Sequence, residues 1–274
     1  MAIITISRLA GSLGDEIAQA LAAQCGYRLI THQDFQQGAA AHDPDLAARL
    51  ERFLNEEGPG FFERLFFGTP AYHSLYQALV LEMAAQRRVI IVGRGAQIAL
   101  GDIPQVLRAR VVAPTQRRVL RLCGTQGMNA QEALEFIRRH DHQRETLVRQ
   151  IYQRDPDHWR LYDLVLNTDR LDLEAAVAAI RELAEQIRRL YPLEEAPPVL
   201  LGLALGKRVE ARLRLAVPSC REVTVSGAAD GILTLSGTVP SQRDLQQATE
   251  MAAAQPGVTG VVNKLKYSVF GYGG

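Results

Sequence analysis

The chain has 274 residues, of which 47% are hydrophobic and 22% are charged, and its formal net charge is +1 at pH 7. The length allows one large domain or two of ordinary size, and the composition is that of a soluble globular protein. A net charge near zero argues against a broad basic surface for nucleic acid, so we expect no nucleic-acid partner.

Two further features of the sequence bear on the cellular compartment. The three cysteines, Cys25, Cys123 and Cys220, are far apart, which predicts reduced thiols and neither a disulfide framework nor a metal site. The longest apolar run, Val199 to Leu205, falls short of the roughly 20 residues that a membrane span needs. The first residues also lack a signal-peptide pattern. We therefore expect a cytoplasmic protein without a transmembrane segment.

The first part of the chain alternates strand and helix patterns. The β-branched run Ile3 to Ser7 predicts a buried parallel strand, and Glu16 to Cys25 predicts the helix after it. Further strands are predicted at residues 27–30, 88–92, 107–112 and 164–167. Further helices are predicted at residues 45–55, 71–86, 115–122, 129–151 and 173–190. The aromatic segment 61–67 is either a hinge or cover segment or a hydrophobic contact under a loop. The alternation predicts an α/β fold with helices on both faces of a parallel sheet.

A proline-rich stretch divides the sequence. The prolines of residues 191–198 block a helix and a central strand, so this stretch predicts a linker. Beyond it the pattern predicts a helix at 203–215, strands at 223–226 and 232–239, a helix at 241–254 and a strand at 258–267. The pair Asp230-Gly231 indicates a hairpin. We therefore assign a first domain to residues 1–190, a linker to 191–199 and a small α+β domain to 200–268.

The first strand leads through the small-residue loop Arg8-Leu9-Ala10-Gly11-Ser12-Leu13-Gly14 directly into a helix. Strand, loop and helix start form the geometry that holds phosphate on backbone N–H groups. Asp15 stands where such a loop normally places a lysine, and no lysine occurs before Lys207. A carboxylate repels phosphate, although Asp15 and Glu16 also suit the positive end of a helix.

Three segments in order resemble the cytidylate-kinase-like proteins. They are Met1 to Leu21, Val89 to Leu100 with its Gly-Arg-Gly, and Ile137 to Thr168 with its Ile-Arg-Arg-His-Asp-His-Gln-Arg. The resemblance covers roughly residues 1–190 and implies a nucleoside-monophosphate kinase fold with a phosphate loop and a mobile lid. It also implies ATP and Mg²⁺ as cofactors if the protein is active.

The resemblance supplies the candidate site residues. Arg8, Arg94 and Arg144 are candidates for a catalytic role, because phosphoryl transfer needs positive charge facing the phosphate oxygens. The candidate nucleotide-binding residues are Gly11, Ser12, Leu13, Gly14, Asp15, Glu16, Arg94, Arg139, Asp141 and Arg144. The family has an Arg-Asp pair at Arg94, where this chain has Gly95 in place of the aspartate. Asp141 and Arg144 match an Asp-x-x-Arg that recognises the pyrimidine and its phosphate, and their spacing of three puts them on one helix face, where they can pair.

Residues from about 200 to 268 resemble a BON domain. The resemblance rests on Val223-Thr224-Val225, the stretch Gly231 to Ser241, and Pro256-Gly257-Val258 after a helix. BON domains are linked to phospholipid or polymer binding and to assembly, and they carry no catalytic set. The resemblance therefore implies a partner that is a protein, a lipid or a second copy of this chain, and it leaves a homo-oligomer open.

Three functions stay open on the sequence. The first is an ATP-dependent kinase of a pyrimidine monophosphate such as CMP or dCMP, weakened by the missing lysine. The second is a nucleotide-binding regulator that responds through its BON domain, and the third is a structural protein with an empty site. The missing lysine favours the second and third, whereas Arg94, Asp141 and Arg144 favour the first and second. The spacing of Arg117, Arg118 and Arg121 indicates only an exposed helix face.

Overall fold

The computed structural model describes residues 2–42 and 70–267 and divides them into two compact units. The first unit is formed by the described residues within 1–35 and 86–196, and the second by those within 36–85 and 197–274. The helix predicted at residues 45–55 and the aromatic segment 61–67 lie outside the described residues.

The first unit is built on a five-stranded parallel sheet. Its strands are β1 (Ile3–Arg8), β2 (Arg28–Ile30), β3 (Val89–Val92), β4 (Val106–Val112) and β5 (Leu164–Asn167), in the spatial order β2-β3-β1-β4-β5. In the central strand β1, Ile4 lies opposite Ile90 of β3 and Leu107 of β4. The carboxyl ends of parallel strands meet at one edge of the sheet, so the segments after β1, β3 and β4 converge there. The predicted α/β sheet is thus confirmed.

Helices cover the strands and connect them. The described helices are α1 (Gly14–Cys25), α2 (His32–His42), α3 (Pro70–Ala84), α4 (Ala96–Ala99), α5 (Thr115–Gln126), α6 (Ala130–Tyr152), α7 (Leu173–Leu190), α8 (Ala196–Ala216) and α9 (Gln242–Ala253). Ile4 and Ile6 of β1 pack in one buried core with Ile17 of α1 and Ile180 of α7. Alternation along β1 turns Ser7 to the opposite face of the sheet.

The second unit contains a three-stranded sheet of β6 (Thr224–Gly227), β7 (Ile232–Val239) and β8 (Gly260–Tyr267). β7 is central, antiparallel to β6 and parallel to β8. Gly231 has φ of 83° in the turn between β6 and β7, which confirms the predicted hairpin. Leu205, Val209 and Leu213 of α8 share a buried core with Leu233 of β7.

The proline-rich stretch is not an irregular linker, which corrects the prediction made from its prolines. A 3-10 turn spans Leu193–Glu195, and α8 begins at Ala196, ahead of the predicted start at residue 203. Pro197 and Pro198 lie in the first turn of α8. A proline is tolerated there because the first backbone N–H groups of a helix have no intrahelical acceptor to lose.

Helix α3 belongs to the second unit, although its sequence lies within the predicted first domain. The Ser74 hydroxyl of α3 donates to Glu210 of α8 at 2.7 Å. Glu210 is 2% exposed, accepts from the Val225 N–H at 2.9 Å, and pairs with Arg214 at 2.8 Å. A buried carboxylate therefore joins α3, α8 and β6, and the boundaries at 190 and 200 stay predictions about sequence domains.

Across residues 2–42 and 70–267, no helix combines the length and the apolar character that a membrane crossing needs. The cytoplasmic location stays a prediction.

Candidate phosphate-binding site

The loop between β1 and α1 presents backbone N–H groups that have no acceptor within the described part of the chain. Gly11 and Leu13 take left-handed conformations, with φ of 71° and 68°, and α1 begins directly after them. The N–H groups of Gly11, Leu13, Gly14, Asp15 and Glu16 make no hydrogen bond to described residues. Unpaired N–H groups at the positive end of a helix bind anions, so the loop has the geometry of a phosphate site.

The Ser12 hydroxyl stabilises the loop from inside. Ser12 is fully buried, and its hydroxyl lies 2.8 Å from the Leu9 carbonyl oxygen and 3.1 Å from that of Val111. The Thr168 hydroxyl donates to the Ser12 carbonyl at 2.8 Å. The side chain of Ser12 therefore shapes the loop and does not face outward to a ligand.

An ion pair between α5 and α6 fixes the loop at Ala10. The Asp141 carboxylate accepts from the Ala10 N–H at 2.8 Å and from Arg118 Nη1 at 2.6 Å. Arg118 is 6% exposed and also donates to the Ala10 carbonyl at 3.2 Å. Asp141 thus pairs with Arg118 and the loop backbone, which occupy both carboxylate oxygens, and it does not pair with Arg144.

Arg118 and Arg121 contact the loop, which their sequence spacing does not predict, because that spacing indicates only an exposed helix face. Arg121 donates to the Thr168 hydroxyl at 2.9 Å and lies 3.5 Å from the Gly11 carbonyl. Burial and the neighbouring Arg117 lower the pKa of Arg121. A cluster of arginines on the helix after β4 was the available signal, because that strand ends beside the loop.

Arg8 forms an ion pair with the residue that replaces the loop lysine. Arg8 Nε donates to Asp15 Oδ1 at 3.1 Å, and Arg8 Nη2 lies 3.0 Å from the same oxygen. The Asp15 side chain is 52% exposed, whereas that of Arg8 is 16% exposed. The carboxylate therefore neutralises much of the positive charge that Arg8 would present to a phosphate.

Arg144 brings a second positive charge to the loop. Its Nη1 lies 3.3 Å from the Arg8 carbonyl oxygen, and among the described residues it has no carboxylate within 4.0 Å. Burial, and after it the charge of Arg8, lower the pKa of Arg144 to about 10, while Asp15 and Asp141 act in the opposite direction. Arg144 is thus charged at neutral pH in surroundings that disfavour the charge, and a bound anion would offset that cost.

Arg94 and Gly95 lie just past the carboxyl end of β3. The Tyr152 hydroxyl donates to the Arg94 carbonyl at 3.2 Å, and the Arg94 guanidinium lies 5.1 Å from the centre of the Phe35 ring. A Cβ on Gly95, whose φ is 65°, would come within 2.1 Å of Tyr152 Cε2. The packing of Tyr152 therefore leaves no room for a side chain at position 95.

Arg139 is a candidate residue for which the structure shows no contact with the loop. Its side chain is exposed on α6, and it makes no hydrogen bond or ion pair with any residue of 2–42 or 70–267. Its assignment to nucleotide binding stays a prediction.

A buried polar network lies on the opposite face of the sheet from the α1 core. Arg110 of β4 is 7% exposed, and its Nη1 donates to the Ser7 hydroxyl at 2.9 Å and to the Tyr162 hydroxyl at 3.2 Å. Arg110 also pairs with Asp157. The signal for this network was a pair of arginines, Arg108 and Arg110, within an otherwise apolar strand, since a buried charge requires polar partners.

The loop N–H groups suit a phosphate group, whereas the hydroxyl that usually binds Mg²⁺ beside such a loop is replaced by a carboxylate. A phosphate-loop lysine is normally followed by a serine or threonine hydroxyl that binds Mg²⁺, and this chain has Asp15 and Glu16 at those two positions. Both side chains are exposed on the first turn of α1, and carboxylate oxygens are ligands that Mg²⁺ accepts. A polyphosphate with Mg²⁺ is thus compatible with these residues, with carboxylates in place of the hydroxyl.

Comparison with known proteins agrees with both resemblances. A family model described as the cytidylate kinase-like family matches residues 3–170, and a BON domain model matches residues 204–268. A cytidylate kinase from Methanothermobacter thermautotrophicus is 28% identical over 176 residues, which cover 64% of this chain and 99% of that protein.

Two other matches are narrower in what they show. A uronate isomerase from Corynebacterium glutamicum is 31% identical over 104 residues, and the match spans 38% of this chain but only 20% of that protein's length. A crystal structure of an uncharacterized protein from Eubacterium ventriosum superposes with a TM-score of 0.50 at 18% identity, over 68% of this chain and 99% of that chain. At that identity the superposition shows a common fold alone.

Proposed function

The chain belongs to the cytidylate kinase-like family over residues 3–170, and from this premise we propose that it binds a nucleotide at the β1–α1 loop and transfers phosphoryl groups slowly or not at all. The observation that supports this most directly is the ion pair of Arg8 with Asp15 beside a row of unpaired loop N–H groups. The N–H groups favour binding, and the ion pair removes charge that transfer needs.

Binding is supported by the state of the groups around the loop. Asp141 accepts from the Ala10 N–H and Thr168 donates to the Ser12 carbonyl, so the loop backbone is positioned by the protein itself and not by a ligand. Arg144 is charged in surroundings that lower its pKa, so an anion at the loop would be attracted by a charge with no carboxylate partner. The phosphates of a nucleotide meet both conditions.

Weak transfer follows from the charge balance at the position of the loop lysine. A phosphoryl transition state is stabilised by positive groups placed on its equatorial oxygens, and the loss of one such contact typically costs a factor of about 10² to 10³ in rate. Here the lysine is replaced by Asp15, and the nearest cation, Arg8, is paired with it. We propose a pyrimidine monophosphate such as CMP or dCMP as the acceptor, with Mg²⁺ held by Glu16 to offset the phosphate charge, since Asp15 is paired with Arg8.

A second candidate function is a nucleotide-binding regulator that acts through its BON domain. One observation favours it: α3, from the sequence between β2 and β3 of the sheet, folds with the C-terminal unit around Glu210. The chain therefore crosses from one unit to the other at residues 35–36, 85–86 and 196–197. These three covalent connections could transmit a conformational change from the nucleotide site to the second unit. In this function the partner of the BON domain is a protein, a lipid or a second copy of the chain.

Calorimetry on the full-length protein tests the proposal. ATP, ADP, CMP and dCMP are titrated with Mg²⁺ into the wild type, into Asp15→Asn, and into Asp102→Asn as a control at an exposed aspartate of the turn before β4. We expect measurable ATP binding that tightens roughly fivefold in Asp15→Asn, because the change removes about 1 kcal/mol of repulsion near the surface. The control should match the wild type.

A coupled assay on CMP and dCMP separates the two candidate functions. Turnover in the ordinary kinase range of about 1–100 s⁻¹ would refute weakened transfer. Slow but measurable turnover supports the weakened kinase, and nucleotide binding with no turnover supports the regulator. A failure of all four nucleotides to bind would refute both functions and leave the structural one.

A further inference from the structure

The turn after β3 has a strained backbone. Gly93, Arg94 and Gly95 are consecutive, and all three have left-handed φ angles, of 73°, 63° and 65°. Glycine adopts this conformation freely, whereas a residue with a side chain, such as arginine, is strained in it. Such strain persists only where surrounding groups hold the backbone, and it is concentrated at functional sites. The Gly-Arg-Gly turn, residues 93–95, therefore depends on contacts that hold Arg94 in this conformation.

Two hydrogen bonds hold the turn at its first glycine. The Gly93 N–H donates to the Ile6 carbonyl at 2.9 Å, and the Ala96 N–H donates to the Gly93 carbonyl at 3.1 Å. A Cβ on Gly93 would come within 2.5 Å of Arg8 Nη1, so the Arg8 guanidinium lies directly against this glycine. The Gly-Arg-Gly turn is thus attached to the central strand and adjoins the cation of the phosphate loop.

Tyr152, the last residue of α6, holds the turn at Arg94 and at its second glycine. The Tyr152 hydroxyl donates to the Arg94 carbonyl at 3.2 Å, and the ring occupies the space that a Cβ on Gly95 would need. The hydroxyl therefore contacts the strained residue itself, and the ring contacts its neighbour. Because the direction of a side chain depends on the φ and ψ angles of its own residue, these contacts influence where the Arg94 guanidinium points.

The same helix also contacts the phosphate loop. Asp141 accepts from the Ala10 N–H at 2.8 Å, and Arg144 donates to the Arg8 carbonyl at 3.3 Å. Tyr152 follows Asp141 by about three turns of helix, which is about 16 Å along the axis. Helix α6 therefore reaches the loop near its middle and the Gly-Arg-Gly turn at its end, so the two contacts can be disturbed separately.

We propose that Tyr152 is a positioning residue, which orients Arg94 toward the phosphate of the acceptor nucleotide through the hydrogen bond of its hydroxyl to the Arg94 carbonyl. This inference rests on the proposed function, in which a nucleoside monophosphate binds beside the phosphate loop. The effect of the hydroxyl is confined to the acceptor, because the contacts of α6 with the loop are made by Asp141 and Arg144.

Calorimetry on the full-length protein tests this role. Tyr152→Phe keeps the ring over Gly95 and removes only the hydroxyl. CMP should bind to it roughly fivefold more weakly, which corresponds to the about 1 kcal/mol of one hydrogen bond, whereas ATP with Mg²⁺ should bind as it does to the wild type. Tyr191→Phe, at an exposed tyrosine after α7, is the matched control and should bind both nucleotides like the wild type.

A double substitution shows whether the hydroxyl acts through Arg94. In the Arg94→Gln background, Tyr152→Phe should weaken CMP binding no further, since the side chain that it orients is gone. The proposal is overturned if Tyr152→Phe leaves CMP affinity unchanged, or if its full effect remains in the Arg94→Gln background. It is also overturned if CMP and ATP binding weaken equally, because that result indicates a general loosening of α6.

Hydrogen exchange separates this proposal from the proposed function. If the wild type binds neither nucleotide, the proposed function fails, and the role of Tyr152 is then measured in the free protein. Amide exchange of residues 93–97, followed by mass spectrometry, should be roughly fivefold faster in Tyr152→Phe than in the wild type and unchanged in Tyr191→Phe. Exchange at the wild-type rate in Tyr152→Phe would overturn the positioning role, whether or not nucleotides bind.

Discussion

Replacing Arg144 by lysine should create a side chain that titrates at mildly alkaline pH. Burial and the charge of Arg8 lower the pKa of Arg144 to about 10, which keeps the guanidinium charged at all ordinary pH values. A lysine amine begins from a pKa of roughly 10.4 instead of the roughly 12.5 of arginine. The same surroundings would then place the pKa of the new amine at about 8 in the folded protein.

The sign of the effect on stability follows from proton binding. The new amine holds its proton less tightly in the folded chain than in the unfolded chain, so between about pH 8 and pH 10.4 the unfolded state binds more protons. The free energy of unfolding of Arg144→Lys, relative to the wild type, should therefore rise with pH across this window. The largest total gain is about 3 kcal/mol, since each pH unit corresponds to about 1.36 kcal/mol, and partial exposure of the side chain reduces it.

Urea denaturation at pH 7, 8, 9 and 10 measures this difference. Arg138→Lys is the control, because Arg138 is exposed on the same helix, and its difference from the wild type should stay flat. Nucleotide affinity of Arg144→Lys should fall above pH 8, where the amine loses its charge. A stability difference that does not change with pH would show that the loop surroundings do not disfavour a cation, and the electrostatic argument for anion binding would then be refuted.

Two further substitutions test the packing around the site and the second unit. Gly95→Ala should lower the free energy of unfolding by about 1–3 kcal/mol more than Gly26→Ala does. Both glycines have φ of 65°, but only a Cβ at position 95 meets another side chain, that of Tyr152. Equal losses of stability in thermal or urea unfolding would contradict this packing. Glu210→Gln should cost about 3 kcal/mol, because it leaves Arg214 without its buried carboxylate, whereas Glu222→Gln at an exposed site should change little. A melting temperature unchanged by Glu210→Gln would refute its role in joining α3 to α8.

Local signals predicted the elements whose determinants are close together in sequence. The sequence of Asn129 and Glu132 is a capping-box pattern, and it begins α6 with both reciprocal hydrogen bonds present. The Asp230-Gly231 pair likewise forms its hairpin. Helix α2 was missed because it lacks an apolar stripe, although Thr31 and Asp34 exchange hydrogen bonds at its start and supplied a capping signal.

The partners within the candidate site could not be predicted, since they are separated along the chain. The spacing of Asp141 and Arg144 indicates a pair when only their own helix is considered. In the structure the carboxylate pairs with Arg118, which comes from the preceding helix and is buried with it. Which of several arginines reaches a carboxylate depends on how helices pack, and helical spacing carries no information about that.

The position of α3 limits how this gene can be shortened or recombined without loss of folding. Ser74 is 1% exposed and donates its hydrogen bond to a carboxylate encoded more than a hundred codons downstream. A shortened gene that stopped after α7 would still encode most of the kinase-like sequence, but α3 would lose its polar partners Arg208, Glu210 and Arg214 in α8. The two segments are therefore expected to be inherited and lost together, and recombination at the boundary between them should yield proteins that fold poorly.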